Sequence, residues 1–192
     1  KVHEFWPELG RELGHALGCG SFACTYTTED PRWVVKVTAD WTEAAAWAAM
    51  NETGKRFPGV AKTPIVGALR LGSELAATWI LQERLFELTK DEREFVNRIN
   101  TDLAILSGVM PWFPQDRSRI VVRTIADRDL PNGGAKRVKA LVASLLALDK
   151  LGIRTADLHG NGNLLKRADS TIVVADFGVA DAPSGWIPSL DA

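Results

Sequence analysis

Apolar and β-branched positions predict that the first part of the chain is rich in β-strands. Residues 13–28 have strand character that two glycines interrupt. Residues 33–38 (WVVKVT) are dense in β-branched side chains, as expected of a buried strand, and residues 78–82 form another short apolar strand. Residues 58–72 are punctuated by Pro and Gly, and the sequence predicts no regular element there.

Three stretches have the pattern of helices. Asp40, followed three residues later by Glu43, predicts a start of the capping-box type for an alanine-rich helix that runs to about Thr53. Residues 89–107 place apolar side chains at helical spacing, and residues 136–151 place an apolar stripe along one side of a helix.

The end of the chain returns to strands. Two short strand-like runs, 164–167 and 171–175, are separated by three turn residues and predict a hairpin. The order of elements therefore predicts an α+β fold in two parts. The first is β-rich with one main helix, and the second is mostly helical.

Composition and charge exclude several classes of function. The 192 residues are 46% hydrophobic and 24% charged, which is ordinary for one soluble globular domain. A net charge of -1 gives no general attraction to nucleic acid or to an anionic membrane. No apolar run approaches the roughly 18 residues of a membrane-spanning helix. The basic stretch 116–139 is interpreted as a solvated face rather than a site for RNA or an acidic substrate.

The cysteine content predicts a reducing environment. Cys19 and Cys24 do not form a metal-type set with the three histidines. A cytoplasmic location is expected, and a disulfide between the two cysteines is not expected there. Cys19 is interpreted as a small residue at a turn.

The segment Leu17 to Ala23 (LGCGSFA) has glycines two apart between predicted strands. Such glycines allow backbone to lie close over a ligand, with N–H groups free to meet phosphate oxygens. A glycine pair in a hairpin is also often only a turn, so both interpretations stay open.

Lys36 lies in the middle of an apolar strand, where a lysine is costly unless its ammonium has a partner. It either faces water on an edge strand or reaches nucleotide phosphates. In the second case Glu43 would hold it by an ion pair, although Glu43 also has a sufficient role as a capping-box residue. Glu52 is the rival partner, and Glu43 fits better because Trp47 follows on its face of the helix.

Polar residues near the predicted hairpin suggest a metal site. Asp157 to Asn163 (DLHGNGN) form a tight polar loop before a strand, and Asp176 follows the next strand, 13 residues after Asn163. A carboxylate at a strand end beside an amide and a second carboxylate is a way to hold Mg²⁺ by oxygen ligands. The alternative is a turn rich in Asp, Asn and Gly.

Taken in order, these features resemble protein kinases and kinase-like phosphotransferases. The residues that carry the resemblance are Gly18-x-Gly20-x-Phe22, Val34-Val35-Lys36, a helix glutamate, Asp157…Asn163 and Asp176-Phe177-Gly178. The resemblance covers about residues 13–181 and implies a single two-lobed kinase-like domain over 1–192. Its small N-lobe would span about 1–82, its hinge about 83–88, and its truncated C-lobe about 89–192.

The resemblance also implies ATP and Mg²⁺ as cofactors and assigns roles to residues. The residues expected to contact nucleotide are Leu17, Gly18, Cys19, Gly20, Ser21, Phe22, Lys36, Glu43, Glu83 and Leu85, the last two through backbone groups at the hinge. Asp157 would accept the proton of the attacking hydroxyl, with Lys36 and Asn163 as the other catalytic residues. Asn163 and Asp176 would bind Mg²⁺, and Gln82 would close the back of the nucleotide pocket.

Three departures from the family pattern bear on the acceptor. His159 follows Asp157 in an Asp-x-His order similar to aminoglycoside-phosphotransferase-like kinases, and the spacing from Asp157 to Asn163 is one residue longer than usual. Only 14 residues follow Gly178, without the Ala-Pro-Glu motif and helices on which protein kinases dock peptides. The expected acceptor is a Ser/Thr hydroxyl of a protein. The alternatives are a small-molecule acceptor and a nucleotide-binding pseudokinase that acts by binding a partner.

Overall fold

The computed structural model describes residues 13–71, 74–106, 134–155, 158, 162–177 and 180–181. Within them the chain is α+β, as predicted, with one five-stranded sheet, two strand pairs and three helices. The strands are β1 (Ala16–Cys19), β2 (Ala23–Thr27), β3 (Trp33–Thr38), β4 (Ile65–Leu71), β5 (Glu74–Glu83), β6 (Arg154–Thr155), β7 (Leu164–Lys166), β8 (Ile172–Val174) and β9 (Ala180–Asp181). The helices are α1 (Trp41–Glu52), α2 (Lys90–Leu106) and α3 (Gly134–Asp149). None of these helices is both long enough and apolar enough to cross a membrane.

The described residues divide into two units. The first contains residues 13–54 and 62–84, and therefore the five-stranded sheet and α1. The second contains residues 55–61 and those from 85 onward, and therefore α2, α3 and the short strand pairs.

The sheet of the first unit is antiparallel throughout, in the order β1-β2-β3-β5-β4. Because side chains alternate between the two faces of a sheet, the two faces of β3 differ. On one face Val35 packs with Trp79 and Leu81 in an apolar core. The other face carries Lys36 and is the face against which α1 lies, since Lys36 bonds to Glu43 of that helix. The sheet thus has one apolar face and one face with buried polar chemistry.

Strand β4 is an element that the sequence did not predict. It contains Gly67, whose position opposite Trp79 in the register explains the glycine. A Cβ atom at Gly67 would lie 2.2 Å from the indole ring of Trp79. The glycine that suggested a loop is therefore a strand glycine that makes room for a buried aromatic ring.

Helix α1 begins as predicted, but only half of the predicted capping box forms. The Asp40 carboxylate accepts the N–H of Thr42 at 2.9 Å, so Asp40 is the N-cap. The Asp40 N–H, however, donates to the hydroxyl of Thr38 at 3.0 Å rather than to Glu43. The interpretation of Glu43 as a capping-box residue is therefore wrong, and its carboxylate is used elsewhere.

The second unit packs α2 and α3 with the predicted hairpin β7–β8, in which Leu164 pairs with Val174. Val60 forms a parallel bridge to Val174, which attaches residues 55–61 to this unit. The fully buried side chains include Val96, Ile99, Val138, Leu141, Leu145, Leu148, Val173 and Phe177. The predicted helices 89–107 and 136–151 are confirmed, with ends one or two residues away.

One carboxylate connects the three parts of the second unit. Glu92 of α2 forms ion pairs with Arg137 of α3 and with Lys166 of β7, the latter at 2.7 Å. Its carboxylate also accepts the N–H of Thr89 at 2.6 Å. Burial alone would raise the pKa of Glu92, but the hydrogen bonds from Lys166 and the Thr89 N–H and the charge of Arg137 outweigh it and lower the pKa to about 2.

Candidate functional site

Two residues of the predicted nucleotide site, Gly18 and Lys36, lie in one row across the sheet. In the register Gly18 of β1 pairs with Thr25 of β2, and Thr25 pairs with Lys36 of β3. Directly paired residues share a face, and neighbouring strands lie about 4.8 Å apart, so Gly18 is roughly 10 Å from Lys36 on the same face. The side chain between them is the small Thr25. The glycine segment and the lysine, 18 positions apart in sequence, therefore adjoin one surface.

The Lys36 ammonium is 2.7 Å from the Glu43 carboxylate, in a buried ion pair. Only 7% of the Lys36 side chain and 2% of the Glu43 side chain are exposed. The edge-strand interpretation of Lys36 is therefore wrong, because β3 is the middle strand of the sheet. Glu43, not the exposed Glu52, is the partner, as expected from its face of the helix.

Trp47 is a third member of this cluster. Its indole N–H donates to the same oxygen of Glu43, with an Nε1–Oε1 distance of 3.2 Å. The spacing of four residues placed Trp47 on the face of Glu43, but a tryptophan on an apolar helix face is usually only core, so this hydrogen bond was not predicted from the sequence.

The packing of the first unit does not require the two glycines of the loop. Among the described residues, a Cβ atom at Gly18 would meet no heavy atom within 4 Å, and one at Gly20 would approach the Ala23 carbonyl at 4.0 Å. Neither glycine has a positive φ. By contrast, a Cβ atom at Gly14 would lie 2.1 Å from the Thr27 hydroxyl. Gly18 thus leaves open space in the row of Lys36. The register of β1 is irregular between Ala16 and Gly18, and the Gly20 N–H donates to the Ala23 carbonyl in the turn.

The tip between β1 and β2 exposes apolar side chains. Phe22 is 69% exposed, and Leu17 is also exposed. The Phe22 carbonyl accepts the N–H of Ala39 at 2.9 Å, which ties the tip to the residue that follows β3. Ser21 is exposed as well. An anchored tip with exposed apolar groups fits a segment that covers a ligand.

Cys19 and Cys24 form a disulfide, contrary to the expectation of two free thiols. The register of β1 and β2 places these residues directly opposite each other, with Cα atoms 4.1 Å apart. Disulfides are rare in the reducing cytosol, so the bond argues against the premise of the cytoplasmic prediction. Both sulfurs are on residues that face away from Lys36, because Cys24 pairs with Val37. Only the backbone of Cys19 is available for the predicted nucleotide contact.

The two predicted hinge residues, Glu83 and Leu85, differ in their backbone hydrogen bonds. The Glu83 N–H already donates to the Lys62 carbonyl at 2.8 Å, and the Glu83 carboxylate accepts the Lys62 N–H. Leu85 has no backbone hydrogen bond to another described residue. Gln82 is buried on the same sheet face as Lys36, two positions along in the register. Among the described residues, the Leu85 backbone is therefore less engaged in hydrogen bonding than that of Glu83.

In the second unit the hairpin brings Asn163 and Asp176 together. The Asn163 carbonyl accepts the N–H of Ala175 at 2.8 Å and that of Asp176 at 3.2 Å. Both residues are half-buried, and Phe177 beside them is fully buried. An amide and a carboxylate on adjacent backbone are oxygen donors of the kind that Mg²⁺ takes in proteins, so these two residues fit the predicted ion.

Asp157, the predicted catalytic base, lies outside the described residues, as do His159 and Gly178. Across the described ranges no three His, Cys, Asp or Glu side chains form a metal-type group. A pair made of one amide and one carboxylate would not form such a group, so the Mg²⁺ prediction rests on Asn163 and Asp176.

A scan of the sequence against models of known protein families finds no match, and a search of the curated proteins finds none. The function of the chain has therefore to be inferred from its own residues.

Proposed function

We propose that this chain is an ATP- and Mg²⁺-dependent phosphotransferase with a two-lobed protein-kinase-like fold, acting on a Ser/Thr hydroxyl of a protein. The observation that carries the proposal is the row Gly18–Thr25–Lys36. It combines a buried, ion-paired lysine with a glycine that leaves open space on the same face of the sheet. Phosphoryl transfer needs mainly positioning and neutralisation of charge, which a lysine, backbone N–H groups and Mg²⁺ supply.

The geometry of the first unit supports a role in holding phosphates. A buried lysine would gain little stability from its ion pair, since removing two charges from water offsets most of their attraction. Its retention, with open space at Gly18 on the same face, is better explained by an anionic ligand. Backbone N–H groups of a glycine segment and a fixed ammonium together bind phosphate oxygens well.

The geometry of the second unit supports a role in holding the metal ion. Asn163 and Asp176 would bind Mg²⁺, which would neutralise phosphate charge when it is bound. Asp157, by its resemblance to the family, would accept the proton of the attacking hydroxyl.

Calorimetric titration with ATP, with and without Mg²⁺, tests the proposal on the intact chain and on D176N. We expect Mg²⁺ to strengthen ATP binding. In D176N the dissociation constant of ATP in the presence of Mg²⁺ should rise by about tenfold, because the variant lacks one anionic ligand. D169N is the matched control, since Asp169 lies at the turn of the same hairpin and bonds only locally to the Thr171 N–H. Absence of ATP binding to the folded chain, or equal losses in D176N and D169N, would contradict the proposal.

A second test uses the glycines. G18A should leave the free energy of unfolding unchanged within about 0.5 kcal/mol, or raise it slightly, because its methyl group meets only open space. It should nevertheless weaken MgATP binding, by about tenfold, because that space is where phosphates approach the backbone.

G67A is the control for the glycine substitution. Its methyl group would overlap the Trp79 ring, so the variant should lose about 1–3 kcal/mol of stability in urea denaturation. If G18A bound MgATP as well as the unsubstituted chain, the segment would be a simple turn.

A further inference from the structure

We propose that Trp47 is a positioning residue, whose indole N–H fixes the Glu43 carboxylate and, through it, the direction of the Lys36 ammonium. That the oriented ammonium contacts the phosphates of a nucleoside triphosphate rests on the proposed function. The positioning is a property of the first unit alone, so it can be measured without nucleotide.

Two donors converge on one oxygen in this cluster. The Glu43 Oε1 atom is 2.7 Å from Lys36 Nζ and 3.2 Å from Trp47 Nε1. A carboxylate oxygen has two lone pairs and accepts both. Lys36 approaches from strand β3 and Trp47 from the next turn of α1, so the carboxylate is held from two elements.

Packing in the core does not by itself explain why the Trp47 indole N–H donates to Glu43. Trp47 is fully buried, and a buried indole N–H needs an acceptor. Its acceptor here is the side chain that carries the buried negative charge of the cluster. A hydrogen bond to an ionised acceptor is about twice as strong as a neutral one, and a glutamate with three side-chain torsions is not oriented by one ion pair. Trp47 supplies the second constraint.

The matched variants are W47F and W79F. Each replaces a buried indole by a smaller ring and loses packing in the first unit, Trp47 in α1 and Trp79 in β5. Trp79, however, pairs with Val37 and lies on the apolar face with Val35, opposite the face of Lys36. Comparison of W47F with W79F therefore distinguishes a loss of core packing from a loss of the hydrogen bond to Glu43.

The first measurement is the rate at which an N-hydroxysuccinimide ester acetylates Lys36, followed by peptide mass spectrometry. The exposed Lys90 serves as the internal reference. In W47F the rate at Lys36 should rise by about three- to tenfold, since a freed Glu43 releases the ammonium, whereas W79F should leave it unchanged. An unchanged or slower rate in folded W47F, or an equal rise in W79F, would overturn the proposal.

The second measurement is the dissociation constant of MgATP, which should rise by about threefold or more in W47F and stay unchanged in W79F. Faster acetylation in W47F alone, with no binding of MgATP to any form, would leave the positioning intact and reject the proposed function. Faster acetylation together with unchanged MgATP affinity in W47F would overturn the link between them.

E43D keeps the proposal testable if W47F does not fold. This variant keeps the charge but shortens the side chain by one methylene, so its carboxylate cannot serve both donors at their present positions. Hydrogen exchange of the Trp47 indole, followed by NMR, and acetylation of Lys36 should then accelerate together. Acceleration of only one, or of neither, would show that the two donors are not coupled through Glu43.

Discussion

Replacement of Lys36 by methionine is expected to lower the free energy of unfolding by about 3–5 kcal/mol. The side chain keeps its apolar length, but the Glu43 carboxylate, 2% exposed, loses its cation. Removing one member of a buried ion pair is costly, and the indole N–H of Trp47 replaces only part of what is lost. In a domain of this size such a loss lowers the melting temperature by roughly 6–20 °C, which circular dichroism measures directly.

The double variant K36M/E43Q is the control for this effect. The glutamine keeps the shape and an oxygen acceptor for Trp47 but carries no charge, so most of the lost stability should return. A double variant no more stable than K36M would show that the ion pair is not the source of the effect. If stability does return, the double variant separates folding from phosphate binding, and its MgATP affinity then reports on the loss of the Lys36–Glu43 pair.

The Lys36–Glu43 contact could be inferred from the sequence because burial of a lone ammonium is so costly. Position 36 lies in a run of β-branched residues, so its ammonium had either to face water on an edge strand or to find a partner. Of the acids on the following helix, Glu43 was favoured over Glu52 because Trp47 follows on its face. Inference of this kind works where one physical penalty dominates all others.

The helix caps show where sequence patterns stop being sufficient. An oxygen-bearing residue followed three positions later by glutamate occurs at Asp40 and again at Thr89. At Thr89 the box closes: the Thr89 N–H donates to Glu92 at 2.6 Å, and the Glu92 N–H lies 3.4 Å from the Thr89 hydroxyl. At Asp40 it does not close: the Asp40 N–H donates to the Thr38 hydroxyl, and Glu43 binds Lys36. Both glutamates have tertiary partners, so the local pattern alone does not decide which box closes.

The glycines and cysteines of the first unit show the same limit. Gly18 and Gly67 both interrupt apolar runs, but only Gly67 is explained by packing. The side chain that requires this glycine is the ring of Trp79, 12 residues away in sequence. Cys19 and Cys24 are bonded because the register of β1 and β2 places them opposite each other. Register and packing across a sheet depend on strand pairing, and a single sequence does not specify that pairing.

Acid is expected to remove about 3 kcal/mol of stability from the second unit through Glu92 alone. The pKa of Glu92 is lowered from 4.5 to about 2 in the folded state by Lys166, the Thr89 N–H and Arg137, which outweigh the effect of burial. A lowered pKa means that the folded state binds the proton less readily than the unfolded state. The contribution is therefore fully present above pH 4.5 and is lost as the pH falls towards 2.

E92Q removes this titration, and E94Q is its matched control in the same helix. Glu94 is exposed, and its carboxylate is 4.0 Å from the Lys90 ammonium, which is long for an ion pair. This pair should therefore contribute less than about 1 kcal/mol to stability. Urea denaturation between pH 2.5 and 7, with hydrogen exchange of α2 and α3 amides as the local probe, should show E92Q well below the unsubstituted chain at pH 7. The two should converge as the pH falls, whereas E94Q should follow the unsubstituted chain throughout. A constant difference between E92Q and the unsubstituted chain across this range would mean that Glu92 contributes through packing, not through its charge.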